Sequence, residues 1–204
     1  VDLKPDALIM SDPGLIMMAR EAWPDMPIHL SVQANTVNGA AAKFWRSVGI
    51  SRVILSRELS FDEIEEVRQD CPEMELEVFV HGALCMAYSG RCLLSGYMSH
   101  RDPNQGACTN ACRWDYKVLP AEEAASGDVF LLEESGKPGE LMPIEEDEHG
   151  TYIMNSKDLR AIEHIERLTK MGVDSFKIEG RTKSPYYVAR TSQSYRAAID
   201  DAVA

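Results

Sequence analysis

Short apolar segments rich in β-branched residues alternate with amphipathic stretches along this chain, and this alternation limits the folds that it can adopt. Five such segments predict buried strands, at residues 7–10, 28–32, 52–55, 76–80 and 175–178. Helices are predicted between and after them, at residues 13–23, 38–48, 60–71, 156–171 and 184–203. Alternating strands and helices are typical of parallel βαβ units, so we predict an α/β fold.

A parallel sheet of this kind belongs either to a doubly wound fold or to a (β/α)8 barrel. No Gly-rich dinucleotide-binding fingerprint follows any of the predicted strands, which favours the barrel. Five strands do not close a barrel, so we predict a partial (β/α)8 TIM-type barrel. Its open edges would need covering, and we expect a homo-oligomer or a swapped dimer if the segment is isolated.

A long interruption separates the fourth predicted strand from the fifth. It divides the chain into barrel units at 1–81, a cysteine-rich loop with a small β excursion at 82–155, and a final β/α unit at 156–204. Within the insertion, residues 129–132 and 151–154 are predicted to pair as small strands.

The insertion contains four of the five cysteines of the chain. They are Cys85, Cys92, Cys108 and Cys112. Clustered thiols suit a metal, and disulfides are rare in the cytosol, but the spacing alone leaves zinc and an iron-sulfur cluster equally open. Cys71, next to Pro72 at the end of a predicted helix, fits a small buried thiol instead.

The charge balance restricts how the chain can bind nucleic acid. A net charge of −12 opposes a simple coating of phosphates, so any such role needs a local basic patch. Basic and aromatic residues are interleaved in the insertion and after the last strand: Tyr88, Arg91, Tyr97, Arg101, Arg113, Trp114, Lys117, Arg181 and Lys183. This mixture predicts contact with an unstacked RNA base, although Tyr97 and Trp114 could instead pack the loop.

The sequence also bears on where the protein works. No segment approaches the about 20 apolar residues of a membrane span, and the N-terminus lacks a signal-peptide pattern. We therefore expect a cytoplasmic protein without a membrane partner. The absence of an initiator Met suggests a segment of a longer chain.

Polar residues follow four of the predicted strands. They are Gln33 and Asn35, then Arg57 and Glu58, then His81, and finally Glu179 and Arg181. Because barrel enzymes place their chemistry at the carboxyl ends of strands, we expect these groups to converge on one mouth. Lys177, inside the last strand, would need a partner such as Glu58 or Glu179.

Several motifs resemble a known family. Residues 77–85 (EVFVHGALC) and 88–95 (YSGRCLLS) resemble the peptidase U32 signature. Residues 101–106 (RDPNQG), 108–114 (CTNACRW) and 176–181 (FKIEGR) resemble the branch of that family that modifies transfer RNA. The similarity extends over essentially the whole segment.

This resemblance implies a function that composition and spacing do not. It implies oxygen-independent hydroxylation of the wobble uridine of tRNA to 5-hydroxyuridine, with prephenate as co-substrate and a 4Fe-4S cluster held by the four clustered cysteines. By resemblance the segment supplies the later strands of the barrel. Substrate or RNA contact is expected from Gln33, Asn35, Arg91, Arg101, Arg113, Trp114, Lys177 and Lys183.

Individual roles at the strand ends have alternatives. Arg57 and Arg181 could hold the carboxylates of prephenate or an RNA phosphate, and His81 or Glu179 could move a proton. Arg57 and Glu58 could instead form an ion pair at the rim, and His81 could fix the cysteine loop.

Two other functions compete with the hydroxylase. One is the collagenase-like peptidase of the family label, although the sequence has neither a G-x-S-x-G elbow nor an H-E-x-x-H motif. The other is a metal-stabilised RNA-binding module without catalysis.

Overall fold

A computed structural model describes residues 3–83, 95, 99–101, 108–120, 130–135, 138–139, 141–144, 146–147, 150–151, 158–180 and 183–204. The chain divides into two compact units. The first comprises residues 1–92 and 157–204, and the second comprises residues 93–156.

The helices and strands follow each other in the predicted alternation. The strands are β1 (Leu8–Met10), β2 (Ile28–Leu30), β3 (Arg52–Ile54), β4 (Glu75–Gly82), β5 (Tyr116–Pro120), β6 (Phe130–Glu134), β7 (Leu141–Ile144), β8 (Glu146–Asp147), β9 (Gly150–Thr151), β10 (Leu159–Arg160) and β11 (Ser175–Glu179). The α-helices are α1 (Pro13–Ala22), α2 (Gly39–Ser47), α3 (Phe61–Asp70), α4 (Ile165–Lys170) and α5 (Pro185–Val203).

Local sequence signals set the helix starts. The side chain of Ser60 caps α3, and Glu63 completes the capping box by accepting from the Ser60 backbone N–H. Pro185 lies in the first turn of α5, where a missing N–H costs no hydrogen bond. Among the described residues, no helix is long and apolar enough to cross a membrane.

The main sheet of the first unit has five parallel strands, which keep the order of the chain, and one antiparallel strand, β10. β1 pairs with β2, β2 with β3, β3 with β4, and β4 with β11, all in parallel. This confirms the predicted α/β architecture with a parallel sheet. Closure into a barrel is not shown and stays a prediction.

The two faces of the sheet differ sharply. On β4, Leu76, Val78 and Val80 belong to one hydrophobic core shared with buried residues of all five helices. Glu77 and Phe79 alternate with them and therefore lie on the opposite face. Helices thus cover one face, while the other carries charged and aromatic side chains.

One strand lies where a helix was predicted. The helix predicted at 156–171 begins only at residue 162, as a short 3-10 turn that leads into α4. Residues 159–160 instead form β10, which pairs antiparallel with His81 and Gly82. This part of the helix prediction was wrong, because backbone pairing with β4 outweighs local propensity.

In the second unit, two small sheets are described. β5, β6 and β7 form an antiparallel sheet, and β8 and β9 form a separate hairpin. The strand predicted at 129–132 overlaps β6, but the predicted pairing of residues 129–132 with 151–154 is wrong. β6 pairs with β5 and β7, whereas Thr151 lies in β9 and residues 152–154 lie outside the described residues.

Candidate functional site

At the carboxyl ends of the parallel strands, several charged side chains lie around the aromatic ring of Phe79. The guanidinium carbon of Arg57, which follows β3, lies 3.5 Å from the ring centroid of Phe79 on β4. The Arg57 side chain is only 8% exposed, and its Nη2 lies 4.0 Å from a carboxylate oxygen of Glu179 at the end of β11. The structure therefore brings two predicted site residues, Arg57 and Glu179, together.

Lys177 approaches the same ring, with its ammonium nitrogen 5.4 Å from the Phe79 centroid. Glu58 or Glu179 was predicted as its ion-pair partner, and this prediction was wrong. The partner is Glu77, whose Oε1 lies 3.0 Å from Lys177 Nζ. The register explains this correction, because Phe79 pairs with Lys177 and Glu77 lies two residues earlier on the same face of β4. Glu58 has an exposed side chain.

Glu77 is the centre of a buried polar network on this face. Its carboxylate accepts from Lys177, from the Ser175 hydroxyl at 3.1 Å and from Arg52 at 3.4 Å. Burial on its own would raise the pKa of Glu77. The hydrogen bonds from Lys177 and Ser175 and the positive charges of Lys177 and Arg52 outweigh burial, so the pKa of Glu77 lies below its ordinary value. Glu77 is therefore ionised and holds two cations in place.

Two amide side chains, Gln33 and Asn35, follow β2. The Ser11 hydroxyl donates to Gln33 Oε1 at 3.3 Å, and the Ser56 hydroxyl donates to Asn35 Oδ1 at 3.2 Å. Asn35 adopts a left-handed backbone conformation with φ of 54°, which few residues other than glycine tolerate. The two predicted contact residues on this edge are thus held by serine hydroxyls.

His81 does not join the groups around Phe79, contrary to the expected common mouth. The register of β4 against β11 shifts between Lys177 and Ile178, so that Phe79 pairs with Lys177 and His81 pairs with Ile178. Because Lys177 and Ile178 are consecutive, their side chains point to opposite faces, and so do those of Phe79 and His81. The shift turns His81 toward the helices.

Both ring nitrogens of His81 contact tyrosine hydroxyls of α5. Nε2 lies 2.8 Å from the Tyr187 hydroxyl, and Nδ1 lies 3.2 Å from the Tyr195 hydroxyl. Burial lowers the pKa of His81, with Asp158 opposing and Lys183 reinforcing this shift. Through these two contacts the ring links β4 to α5. Its predicted role in proton transfer stays a prediction.

Lys183 belongs to the surroundings of His81. Its ammonium group lies 3.0 Å from Asp158 Oδ2, and the Tyr187 hydroxyl donates to the same oxygen at 2.9 Å. Lys183 also lies 5.0 Å from the centroid of the Tyr187 ring. The structure thus gives this predicted RNA contact an internal ion pair.

In the second unit, Cys108 and Cys112 flank a tight turn. The backbone N–H of Asn110 donates to Cys108 Sγ at 3.3 Å, and Asn110 has a φ of 54°. Cys112 is buried in a 3-10 turn. A further polar cluster lies beside Cys108, where buried Ser95 accepts from the Thr109 backbone N–H and contacts its hydroxyl at 2.8 Å.

Several predicted site residues cannot be placed. Cys85, Arg91, Cys92 and Arg181 lie outside the described residues, as does the side chain of Arg113. Arg101 is exposed, and Trp114 is half-buried. No group of three or more potential metal ligands is found within the described residues, which include only two of the four clustered cysteines.

Cys71, the cysteine outside the clustered four, behaves as the sequence predicts. Cys71 is buried in the main core. No disulfide joins it to Cys108 or Cys112, the other cysteines that the structure describes.

Glu77, Phe79, Tyr187 and Tyr195 are not among the site residues predicted from the sequence. A signal existed for Glu77, because a charged residue between Leu76 and Val78 marks the second face of a strand. No comparable signal identifies the tyrosines, since their contacts to His81 depend on the register shift in β4.

Comparison with known proteins adds the family. The model of Peptidase family U32 matches residues 1–204. The chain belongs to peptidase family U32. Within this U32 protein, the matched residues include the four clustered cysteines and the strand-end group, by which we mean Arg57, Phe79, Lys177 and Glu179.

Curated U32 relatives carry two kinds of name. The chain is 63% identical, over its whole length, to tRNA hydroxylation protein P of Escherichia coli (strain K12), of which it spans 51%. Over 98% of its length it is 41% identical to tRNA hydroxylation protein P1 of Bacillus subtilis (strain 168), spanning 43% of that protein. It is also 34% identical, over 95% of its length, to a protein of Porphyromonas gingivalis named Collagenase, spanning 44% of it.

This U32 chain spans about half the length of the curated relatives that it matches. No solved structure is a significant match.

Proposed function

We propose that this U32 protein hydroxylates the wobble uridine of tRNA to 5-hydroxyuridine without oxygen, using prephenate as co-substrate and an iron-sulfur cluster. The observation that carries the proposal is the strand-end group of Arg57, Phe79, Lys177 and Glu179. The relatives at 63% and 61% identity are named tRNA hydroxylation protein P, which supports hydroxylation of tRNA. The wobble uridine, prephenate and the cluster enter the proposal through the resemblance of the sequence motifs.

The strand-end group suits an anionic organic substrate. Arg57 and Lys177 bring two positive charges to one aromatic ring, where Glu179 and Glu77 balance them, and Arg57 is largely shielded from water. A substrate carboxylate would compete with Glu179 for Arg57. Charge pairing strengthens as water is excluded, so a carboxylate gains more here than at an exposed lysine. Prephenate, which has two carboxylates and a ring, is complementary to this combination.

A cluster would be held by Cys85, Cys92, Cys108 and Cys112, and it would supply electron transfer. The described part of this set fits such a role. The Asn110 backbone N–H already donates to Cys108 Sγ, which is the type of hydrogen bond that surrounds cluster thiolates and tunes their potential. Cys112, four residues after Cys108, is buried, so water has little access to its thiol.

Metal analysis tests the cluster directly. The protein is purified without oxygen, and iron, sulfide and zinc are measured for wild type and for the Cys85→Ala, Cys92→Ala, Cys108→Ala and Cys112→Ala variants. Cys71→Ala serves as the matched control, because Cys71 is buried in the main core and lies outside residues 85–112, which carry the four clustered cysteines. We expect iron and sulfide in wild type and in the control, and a loss in each of the four variants. Zinc in place of iron would refute the cluster.

Product analysis tests the reaction. Cluster-loaded protein is incubated anaerobically with prephenate and with tRNA from cells that lack the modification, and 5-hydroxyuridine is measured by mass spectrometry of the nucleosides. We expect the modified nucleoside only when both prephenate and the protein are present. Its formation without prephenate would refute the role of the co-substrate.

The relative named Collagenase keeps a peptidase as the second candidate. The arrangement of His81 disfavours it, because both ring nitrogens contact tyrosine hydroxyls and not a serine or cysteine nucleophile. Cleavage of gelatin by cluster-free protein would restore the peptidase. Binding of tRNA without any product would favour the metal-stabilised RNA-binding module.

A further inference from the structure

We propose that three hydroxyl groups in the second unit position Cys108 for metal binding. They belong to Ser95, Ser99 and Thr109 and form a closed hydroxyl ring. The ring holds residues 108–112, which we call the cysteine turn, in its ligand geometry before any metal binds. The inference rests on the proposed function, because it assigns positioning residues to the proposed iron-sulfur cluster.

A single assignment of protons satisfies every contact in the hydroxyl ring. The Ser99 hydroxyl donates to the Ser95 carbonyl oxygen at 2.7 Å, because a carbonyl can only accept. Ser99 must then accept from the Thr109 hydroxyl, whose oxygen lies 3.2 Å away. Thr109 in turn accepts from the Ser95 hydroxyl at 2.8 Å. Each hydroxyl thus donates one hydrogen bond, and the ring closes at Ser95.

The ring fixes Thr109 at two atoms. Besides the contacts of its hydroxyl, its backbone N–H donates to Ser95 Oγ at 3.0 Å. Ser95 is only 2% exposed, so water competes little for these hydrogen bonds. With its side chain and its backbone bonded to the same buried serine, Thr109 has little freedom to rotate.

The orientation of Thr109 sets the donor that reaches Cys108. The peptide group after Thr109 carries the N–H of Asn110, which donates to Cys108 Sγ at 3.3 Å. The same sulfur lies 3.3 Å from Asn110 Oδ1. A hydrogen bond to the ionised sulfur of a bound ligand is stronger than one to a neutral thiol, so this donor favours the metal-bound state. Thr109 therefore acts on Cys108 through the Asn110 N–H and is a positioning residue.

The other end of the cysteine turn has its own anchor. The Tyr116 hydroxyl donates to the Ala111 carbonyl at 2.8 Å, and the Trp114 N–H donates to the same oxygen at 3.1 Å. Ala111 and its neighbour Cys112 are both buried. Between the two anchored ends, Asn110 redirects the chain through its left-handed backbone, with φ of 54°. All of these contacts are made by protein groups, and none of them requires a metal.

A turn that is already folded makes metal binding easier, because the backbone does not have to be ordered when the metal binds. Residues that orient a metal ligand typically change metal affinity by about 10–100-fold when they are replaced. Hydrogen bonds to a ligand sulfur also stabilise the reduced, more negative cluster and so raise its reduction potential. The hydroxyl ring should therefore affect both the retention of iron and the potential.

Amide hydrogen exchange tests the prefolded turn without any metal. The exchange rate of the Asn110 N–H is measured by NMR in reduced, metal-free protein. The N–H of buried Leu55, which donates to the Glu77 carbonyl in the first unit, is the reference. Thr109→Val removes the hydroxyl but keeps the size, and Thr109→Ser returns the hydroxyl. We expect Thr109→Val to speed Asn110 exchange about tenfold, the equivalent of one lost hydrogen bond, and Thr109→Ser to change it by less than about twofold.

Iron release and reduction potential test the role toward the cluster. Cluster-loaded protein is mixed with a ferrous chelator without oxygen, and the potential is measured by potentiometric titration. We expect Thr109→Val to release iron about tenfold faster than wild type and to have a more negative potential, whereas Thr109→Ser should resemble wild type. Ser47→Ala is the matched control, because it loses a hydroxyl hydrogen bond to the Phe44 carbonyl in the first unit and should change neither quantity.

The outcomes separate this inference from the proposed function. If the Asn110 N–H of wild type exchanges as fast as an unprotected amide, or if Thr109→Val leaves its rate unchanged, the prefolded turn is refuted. If Thr109→Val lowers stability but alters neither iron release nor the potential, the ring is structural only and the positioning role is wrong. If the exchange pattern is as expected but wild type binds zinc in place of iron, the ring still positions Cys108 and the proposed cluster fails.

Discussion

The buried carboxylate of Glu77 gives the sharpest test of how the strand-end group is held. Glu77→Gln keeps the size of the side chain and its ability to accept hydrogen bonds, but it removes the negative charge. Lys177 and Arg52 would then lie beside a neutral group in a partly dry environment. The substitution should therefore lower the free energy of unfolding.

The exposure of the partners sets the size of the effect. Breaking a fully buried pair costs about 3–5 kcal/mol, whereas an exposed pair contributes about 0.2–1 kcal/mol. The Glu77 side chain is 9% exposed, but those of Lys177 and Arg52 are 30% and 25% exposed, so solvent screens part of their charge. We expect a loss of about 2 kcal/mol for Glu77→Gln.

Glu75 provides a matched control on the same strand. It also pairs with Arg52, at 2.9 Å, but its side chain is 49% exposed. Glu75→Gln should therefore cost no more than about 0.5 kcal/mol. Urea unfolding followed by tryptophan fluorescence measures both variants. A Trp114→Phe background restricts the signal to Trp23 and Trp45, which lie in the first unit.

The pH dependence adds a second measurement. The pKa of Glu77 is below its ordinary value of 4.5, so the native state favours the ionised form. Its stabilising contribution is present above that ordinary value and is lost as the pH falls through the native pKa. The difference between wild type and Glu77→Gln should therefore shrink in acid. Equal costs for Glu77→Gln and Glu75→Gln at pH 7 would refute the reasoning.

Three further predictions concern the end of β4. Gly82→Ala should destabilise the protein by several kcal/mol, roughly 3 or more, because the new Cβ would lie 2.1 Å from a backbone oxygen of β11. Gly172→Ala, also at positive φ but with its new Cβ no closer than 3.8 Å to the described residues beyond its chain neighbours, should cost much less in the same urea-unfolding assay. Tyr195→Phe should cost about 1–3 kcal/mol in urea unfolding, since its buried hydroxyl bonds to two backbone groups. His81, whose pKa burial lowers, binds fewer protons in the native state, so wild type should lose stability below pH 6.5 and His81→Asn should lose less.

The main features of the fold could be predicted from the sequence because they depend on local patterns. The apolar β-branched segments predict β1 to β4 and β11, and the Ser60 capping box and Pro185 locate the starts of α3 and α5. β10 could not be predicted in this way. Its two residues form a strand only because backbone groups at the end of β4 are available to pair with them.

The site was predictable only in part. Position after a strand was enough to select Arg57 and Glu179, which the structure brings together. It was not enough for His81 or Lys177. The direction of His81 depends on a register shift, and the choice of Glu77 as partner of Lys177 depends on strand pairing across the insertion. Both are long-range properties that no local pattern encodes.

The pairing of β4 with β11 also bears on the order in which the protein can fold. β1 to β4 add to the sheet one after another, so each strand can dock as soon as it has been synthesised. β11 can pair with β4 only after residues 83–174 have been synthesised. The entropic cost of closing so long a loop rises only slowly with its length. Lys177 and Glu179 therefore reach their positions last. The ion pairs of Lys177 with Glu77 and of Glu179 with Arg57 can therefore form only after the whole intervening segment has been synthesised.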